Sequence, residues 1–473
     1  MMKETRILLL LVYFFVYLGG NHAYEDYFRK FQRKFEEKCS KYSFVQTYQR
    51  IMKELPDKYL IFVFHEDNVS NGGLGDRFAG LITAMAYAIR FNRMLLIKGD
   101  SGFDKSFKPF HFANESDEHY SWNNWGWSNW KDSYLQEKED FLCVNPNRYS
   151  SNRCGFDIDY PNVKVMKMYS NRVYLCRWTA VESLGLQEEI KKSLNITLQT
   201  NLYDIAGCLF RLAMFPTKTL WKTLISSREN QFITKAQQLD HLHPAHISRA
   251  NALQIGIHFR CGDSSFDAKD DQPANPQCLE IPGIEWKGTS FSDDFSLESP
   301  IHLAKCAQKK IDEFLSSSAS SSSSSSSAKP LQPIVFIASD NRRSSKQMME
   351  HISPDVPIFV PSSATCNVDL KRTNDCTLST LAEWFLLSFS DMIITQQLHH
   401  YNPKSPYFDT NLMSYLQAPY PEELGPISAF SRFALIYGLN SEHLYHANCL
   451  SANTTTVGHY THGNWMCFTK IFY

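Results

Sequence analysis

Short apolar runs that alternate with helical stretches predict an α/β fold with parallel, doubly wound sheets. Two such series occur, one in each half of the chain, and each begins with a run that is apolar almost throughout. Runs of this kind are typical of strands that are buried on both faces. The chain has 473 residues, of which 43% are hydrophobic and 21% charged. This is enough for two or three globular domains, and we expect two α/β domains.

The N-terminus has the pattern of a secretory signal. Lys3 and Arg6 precede an apolar run at 7–18, which two glycines and a short polar stretch follow. A membrane-spanning helix needs about 20 apolar residues, so a cleavable signal peptide at 1–23 is favoured over a short type II anchor. Either alternative predicts a protein of the secretory pathway, in the Golgi or ER lumen or secreted. Membrane anchoring is then expected only through residues 7–20.

The first half begins with a helical segment and continues with an α/β unit. Residues 24–56 are polar and helix-prone and predict a stem, and an N-terminal domain is predicted at 57–246. This domain opens with a strand at 59–64, a glycine turn, a helix at 76–91 and a strand at 94–98. The rest of the domain has mixed signals, and we expect helices to complete it.

A second series defines a C-terminal domain at 247–440. Residues 316–328 are almost all serine, cannot bury apolar surface and predict a disordered loop. Residues 441–473 form a C-terminal extension. The strands are predicted at 253–259, 333–338, 356–360 and 391–395, and the helices at 301–315, 343–352, 378–390 and 428–438.

All twelve cysteines follow the signal region, which suggests disulfides formed in an oxidising compartment. Close spacing makes four pairs plausible, although the sequence does not fix the connectivity. These pairs are Cys143 with Cys154, Cys261 with Cys278, Cys366 with Cys376, and Cys449 with Cys467. The same compartment would glycosylate the sequons at Asn68, Asn114, Asn195 and Asn453.

The charge balance argues against nucleic acid as a partner. The chain has 48 basic and 49 acidic residues, so no overall positive field would hold a polyanion. Two patterns could suggest a metal site, Asp157-Ile-Asp159 and the histidines at 241, 243 and 246. The first has no strand before it, and a proline interrupts the second. We therefore expect no metal cofactor.

Polar residues follow three of the predicted strands directly. Ligands of open parallel sheets bind beyond the carboxyl ends of the strands, so these residues are candidates for one site. The glycines would open a helix N-terminus to an anion, and Arg260 offers a fork for two phosphate oxygens. The alternatives are an ordinary strand-to-helix turn and an ion pair between Arg260 and Asp263. The positions are Gly73 and Gly75, then His258, Arg260 and Asp263, and finally Asp340 and Asn341.

Four motifs in this order resemble the GDP-fucose-dependent fucosyltransferases of the α1,2, α1,6 and protein O-fucosyltransferase superfamily. The resemblance implies a GT-B-like fold, in which two Rossmann-like domains face each other across a cleft. It also implies inversion at the fucose anomeric carbon, with GDP-fucose as the donor and no metal. The motifs are Gly-Gly-Leu-Gly-Asp-Arg at 72–77, His258-x-Arg260-x-x-Asp263, Ala338-Ser339-Asp340-Asn341 and Ser428-Ala-Phe430-Ser431.

The same resemblance assigns roles to these residues. Arg260 would bind the diphosphate and stabilise the departing GDP, while His258 would help to hold the same loop. Asp340 and Asn341 would contact the guanosine. The residues implied to bind the donor are Gly73, Gly75, His258, Asp263, Asp340, Asn341, Ser428, Phe430 and Ser431.

The sequence departs from the family pattern at three positions. Cys261 stands where many relatives have a second arginine, and Ala429 stands where threonine or serine is frequent. Asp76 stands where asparagine is common. Its carboxylate is a candidate general base for the acceptor hydroxyl, or simply a first-turn acid that favours the helix dipole.

Four tryptophans within nine residues are candidates for stacking on an acceptor sugar, or for folding a loop onto the first domain. They are Trp122, Trp125, Trp127 and Trp130. The sequence as a whole predicts a fucosyltransferase that acts on a glycan or glycoprotein. Two alternatives remain: a GT-B transferase for another nucleotide sugar, and a secreted, non-catalytic protein that binds a glycan or nucleotide sugar.

Overall fold

A computed structural model describes 31–54, 58–64, 74–99, 101–108, 141–144, 162–168, 202–220, 252–259, 300–321, 332–339, 342–360, 374–395, 429–439 and 444–446, with Arg29, Leu194 and Cys449. The strands in chain order are β1 (Tyr59–Val63), β2 (Met94–Lys98), β3 (Phe107–Lys108), β4 (Phe141–Val144), β5 (Val165–Met168), β6 (Phe215–Pro216), β7 (Ala252–Phe259), β8 (Gln332–Ser339), β9 (Ile358–Phe359), β10 (Met392–Thr395) and β11 (Leu444–His446).

Eight helices accompany these strands within the described ranges. They are α1 (Ser43–Glu54), α2 (Leu74–Arg90), α3 (Ser101–Ser106), α4 (Leu202–Ala213), α5 (Pro300–Ser321), α6 (Arg342–Glu350), α7 (Asn374–Ser388) and α8 (Ala429–Gly438). A further helical segment at 31–39 precedes α1.

Two parallel sheets organise the chain, one in each half. The first has the strand order β2-β1-β5-β4, and β3 pairs with β6 in a separate antiparallel ribbon. The second sheet has the order β11-β10-β7-β8-β9. Read from β9, its strands are the third, second, first, fourth and fifth along the chain, which is the Rossmann order. The predicted α/β fold with parallel sheets is confirmed.

Helices from both halves share one aromatic core. Trp384 of α7 is fully buried. The centre of its ring lies 4.2 Å from the ring centre of Phe78 in α2, 5.5 Å from that of Phe210 in α4 and 5.0 Å from that of Tyr437 in α8. Such ring pairs add stability beyond the apolar area that they bury. The core therefore joins α2 and α4 of the first half to α7 and α8 of the second.

The side chain of Arg211 in α4 bonds to α8 and to the helical segment at 31–39 inside this core. Its Nε donates to the carbonyl oxygen of Tyr437 at 2.6 Å, and its Nη1 donates to the carbonyl oxygen of Phe31 at 3.0 Å. The guanidinium also lies 3.8 Å from the centre of the Phe31 ring. Burial raises the pKa of Tyr437, and the charge of Arg211 opposes this rise. The helical segment at 31–39, within the expected stem, is thus packed against both halves.

A disulfide between Cys39 and Cys208 attaches the segment at 31–39 to α4. A second disulfide joins Cys306 of α5 to Cys449, which follows β11. The suggested pair of Cys449 with Cys467 is therefore wrong, because β11 returns the chain to the second sheet and brings Cys449 to α5. The other three suggested pairs involve positions whose side chains lie outside the described residues.

The expectation of a disordered loop at 316–328 is also wrong for its first part. Helix α5 continues through Ser321, so residues 316–321 are helical and not a disordered loop. The Ser316 hydroxyl donates to the carbonyl oxygen of Asp312 at 2.7 Å, and the Ser317 hydroxyl donates to that of Phe314 at 2.8 Å. These bonds satisfy the two hydroxyls on the helix itself.

The predicted ends of most other elements differ from the structure by a few residues. The largest difference is in the first domain, where the expectation that helices complete it is wrong in part. This region contains α3 and α4 but also β3, β4, β5 and β6, and β4 and β5 make up half of the first sheet. In the expected stem, the chain forms two helical pieces, 31–39 and α1, with a break between them. Within the described ranges, no helix is long and apolar enough to cross a membrane. The signal region at 1–23 and the four sequons lie outside the described residues.

We expect Gly207→Ala to destabilise the protein, because a Cβ at Gly207 would overlap the backbone oxygen of Ile436 in α8. Alanine favours a helix by about 1 kcal/mol over glycine, but overpacking costs about 1–3 kcal/mol. Denaturant unfolding should therefore show a net loss, whereas the exposed Lys309→Ala control should change stability by less than about 0.5 kcal/mol. A Gly207→Ala protein as stable as wild type would contradict the close contact of α4 with α8.

Candidate anion site at the switch point of the second sheet

The order of the second sheet reverses between β7 and β10. The two strands pair in parallel, and Thr395 at the end of β10 lies opposite His258 near the end of β7. The connections from these strands leave in opposite directions, which opens a crevice at their carboxyl ends. Ligands of doubly wound sheets bind in such a crevice, so this edge is the candidate site.

Three buried polar side chains meet at this edge. The Ser431 hydroxyl lies 2.6 Å from Nδ1 of His258, and the Thr395 hydroxyl lies 3.0 Å from that of Ser431. His258 is 6% exposed, and Thr395 and Ser431 are fully buried. Buried polar groups are stable when they are hydrogen-bonded to each other. The chain Thr395–Ser431–His258 therefore joins two strands and a helix at the switch point.

Helix α8 brings its N-terminus to the same edge. It begins at Ala429, so Ser431 is in its first turn, where backbone N–H groups have no partner within the helix. The ring of Phe430 stacks on that of His258, with 5.0 Å between centres and 24° between planes. The helix N-terminus carries a partial positive charge that favours an anionic ligand. The imidazole, the hydroxyls and this helix end are the polar groups described at the site.

The corresponding edge of the first sheet is formed by β1 and the start of α2. Gly75 is buried in the first turn of α2, and the backbone of Asp76 follows in the same turn. Arg77 is 3% exposed, and its guanidinium lies 5.8 Å from the centre of the Phe64 ring. The position of Asp76 in a first turn is compatible with both of its suggested roles.

The structure brings together three of the expected site residues, His258, Phe430 and Ser431. Thr395 is part of the same cluster but was not expected, because a threonine at the end of an apolar strand is ordinary for a β-branched residue. The remaining expected residues lie outside the described ranges: Gly73, Arg260, Asp263, Asp340, Asn341, Ser428, Trp122, Trp125, Trp127 and Trp130.

The described ranges contain no group of three or more histidine, cysteine or acidic side chains that could hold a metal ion. Both sequence patterns considered as metal sites, at 157–159 and 241–246, lie outside these ranges. The described groups of the candidate site are therefore an imidazole and two hydroxyls beside a helix N-terminus.

We expect Ser431→Ala to lower the free energy of unfolding by about 1–3 kcal/mol, since it leaves buried Nδ1 of His258 without its hydroxyl partner. Denaturant unfolding measures the change. Thr47→Ala is the matched control, because the Thr47 hydroxyl donates to the carbonyl oxygen of Ser43 on an exposed helix face, where water can replace it. Equal effects of the two substitutions would contradict the structural role of Ser431.

No family model and no curated protein matches this chain. Among solved structures, it is similar to an arginine-to-lysine variant of FUT1 from Arabidopsis thaliana in complex with GDP. The identity is 15%, the TM-score is 0.41, and the match covers 89% of this chain and 78% of that one. NodZ from Bradyrhizobium is 12% identical, with a TM-score of 0.31 and coverage of 80% and 91%.

POFUT1 in complex with GDP is 11% identical, with a TM-score of 0.34 and coverage of 83% of this chain and 99% of that chain. These identities and TM-scores are too low to assign an activity or a residue role to this chain.

Proposed function

We propose that the chain is an inverting, metal-independent glycosyltransferase that moves fucose from GDP-fucose to a glycan or glycoprotein. The observation that carries the proposal is the cluster of His258, Ser431 and Phe430 at the switch point of a Rossmann-ordered sheet. Two separate motifs of the fucosyltransferase pattern supply these residues, and they meet where such a sheet binds its ligand.

Arg260 is our candidate for binding the diphosphate. It is two residues after His258 in the sequence, and β7 ends at Phe259. The first turn of α8 is on this edge as well. A diphosphate bound here would meet the guanidinium fork and the helix N-terminus together.

The reaction needs no metal if protein groups stabilise the leaving group. The acceptor oxygen attacks the fucose anomeric carbon as the bond from this carbon to the β-phosphate oxygen breaks, and GDP leaves with the electron pair. The acceptor hydroxyl gives its proton to a base, for which Asp76 is our candidate. Negative charge grows on the diphosphate in the transition state, so binding energy from Arg260 would accelerate the step and not only hold the donor.

The setting of the reaction is the lumen of the secretory pathway. The two disulfides are of the kind that persists in oxidising compartments, and the signal-like N-terminus and four sequons agree with this location. The two domains would face each other across a GT-B-like cleft. The donor would bind to the second domain, and the tryptophan-rich segment is our candidate for the acceptor sugar.

Two other functions use the same fold. A transferase for another nucleotide sugar would differ in the base that Asp340 and Asn341 contact. A non-catalytic binding protein would keep the donor site without turnover, and the missing second arginine at Cys261 favours this alternative. The choice of nucleotide and the presence of turnover distinguish the three.

We expect GDP and GDP-fucose to raise the melting temperature of the purified protein in the presence of EDTA, whereas UDP and CMP should not. A ligand at 100 times its dissociation constant stabilises the folded state by about 2.7 kcal/mol. A shift with UDP but none with GDP would reject the donor. A shift with GDP and no release of GDP from GDP-fucose over a panel of glycans would favour the non-catalytic alternative.

We expect Arg260→Ala to lower turnover by about 10²–10³-fold, because it removes the charge that meets the departing GDP. Arg260→Lys should restore little, since one ammonium cannot reproduce the bidentate fork. Turnover, GDP affinity and melting temperature are measured together, with Asp263→Ala as the control for an ion pair. Equal losses of melting temperature in Arg260→Ala and Asp263→Ala, with turnover intact, would instead identify Arg260 as a structural partner.

A further inference from the structure

We propose that Thr395 is a positioning residue of the donor site, which acts on His258 through the hydroxyl of Ser431. The inference rests on the proposed function and deepens it by adding a residue that none of the four motifs contains. Thr395 is the last residue of β10, and its backbone lies opposite His258 of β7. Its hydroxyl lies 3.0 Å from that of Ser431, which in turn lies 2.6 Å from Nδ1 of His258.

The proposal assigns a direction to these hydrogen bonds. The Ser431 hydroxyl lies 2.6 Å from Nδ1 of His258, and we assign it as the donor to this nitrogen. Its single proton is then used, so the Thr395 hydroxyl is assigned as the donor in the 3.0 Å contact with Ser431. A neutral imidazole that accepts at Nδ1 carries its proton on Nε2.

The hydrogen bonds from Thr395 to Ser431 and on to His258 are important because both hydroxyls are buried. Thr395 and Ser431 are both fully buried, so water does not compete for their hydroxyls. A serine side chain has three staggered rotamers, and the bond from Thr395 favours the one that reaches His258. Hydrogen bonds in such a chain also polarise and strengthen one another. Without Thr395, Ser431 would lose the partner that holds its hydroxyl on Nδ1.

The consequence for the site is a fixed end of β7. Ser431 holds the edge of the imidazole, and Phe430 covers its face at 5.0 Å between ring centres. The proposed function assigns the diphosphate to Arg260, two residues after His258 in the sequence, so a displaced His258 is expected to disturb the donor site. Displacements of about 1 Å in a positioning group can cost up to about 10²-fold in rate.

The test combines turnover with a double-mutant design in the full chain. Thr395→Val keeps the shape of the side chain and removes the hydroxyl, and we expect it to lower kcat about tenfold. Thr395→Ser should restore most of the rate. In the Ser431→Ala background, Thr395→Val should have little further effect on kcat, since the proposal assigns its effect on the site to the bond with Ser431. Equal effects of Thr395→Val in both backgrounds would overturn the proposal.

Thr83→Val is the matched control for the loss of a buried threonine hydroxyl. The Thr83 hydroxyl donates to the carbonyl oxygen of Ala79 inside α2, away from the second sheet. Its loss should leave kcat within about twofold of wild type after correction for the folded fraction. If Thr83→Val lowers kcat as much as Thr395→Val, the effect of Thr395 is merely structural and the proposal is rejected.

The protonation of His258 gives a readout that does not depend on the donor. Nitrogen NMR of histidine-labelled protein, with the signal assigned by His258→Gln, should show Nδ1 as an acceptor and a proton on Nε2. Thr395→Val should move this signal towards a mixture of the two tautomers. A wild-type signal with the proton on Nδ1, or an unchanged signal in Thr395→Val, would overturn the proposal. If GDP does not bind, the proposed function fails, while this spectrum still decides the role of Thr395.

Discussion

The close packing of α8 against both halves of the molecule is the constraint on which the rest of the structure depends. Glycines make the approach possible, because a Cβ at Gly207 of α4 would overlap the Ile436 carbonyl oxygen and one at Gly438 would overlap that of Ser388. Arg211 then binds the backbone of Tyr437 in the last turn of α8. The C-terminal end of this helix is therefore fixed by backbone contacts, which cannot change by side-chain rotation.

A helix that is fixed at one end places the other end with little freedom. Ser431 stands two turns before the anchored residues, and its hydroxyl meets His258 at the carboxyl end of β7. The aromatic core around Trp384 packs against α8 through Tyr437 and resists a shift of the helix. The buried hydroxyls and the imidazole are hydrogen-bonded because the elements that carry them are held in register by this packing.

Strands β1 and β2 of the first sheet and all of the second sheet but β11 could be predicted from the sequence, since buried parallel strands form continuous apolar runs. The polar residues at the strand ends pointed to His258, whereas Ser431 was expected from the resemblance to the fucosyltransferases. The sequence pattern did not predict contacts between residues that are far apart along the chain. The disulfide between Cys39 and Cys208 joins residues 169 positions apart, and the bond from Arg211 to Tyr437 depends on two helices that meet only in the folded chain.

Thr395 shows a different limit of sequence reasoning. A threonine at the end of an apolar strand satisfies β propensity, so its hydroxyl has no separate signal in the pattern. The serine tract was predicted wrongly. Its polar composition suggested a disordered loop, but the hydroxyls of Ser316 and Ser317 donate to carbonyl oxygens of their own helix. In both cases the decisive fact is where a hydroxyl finds its acceptor. Composition shows that a hydroxyl is present, and only the packing around it decides whether that hydroxyl bonds back to its own helix or to the side chain of a neighbouring element.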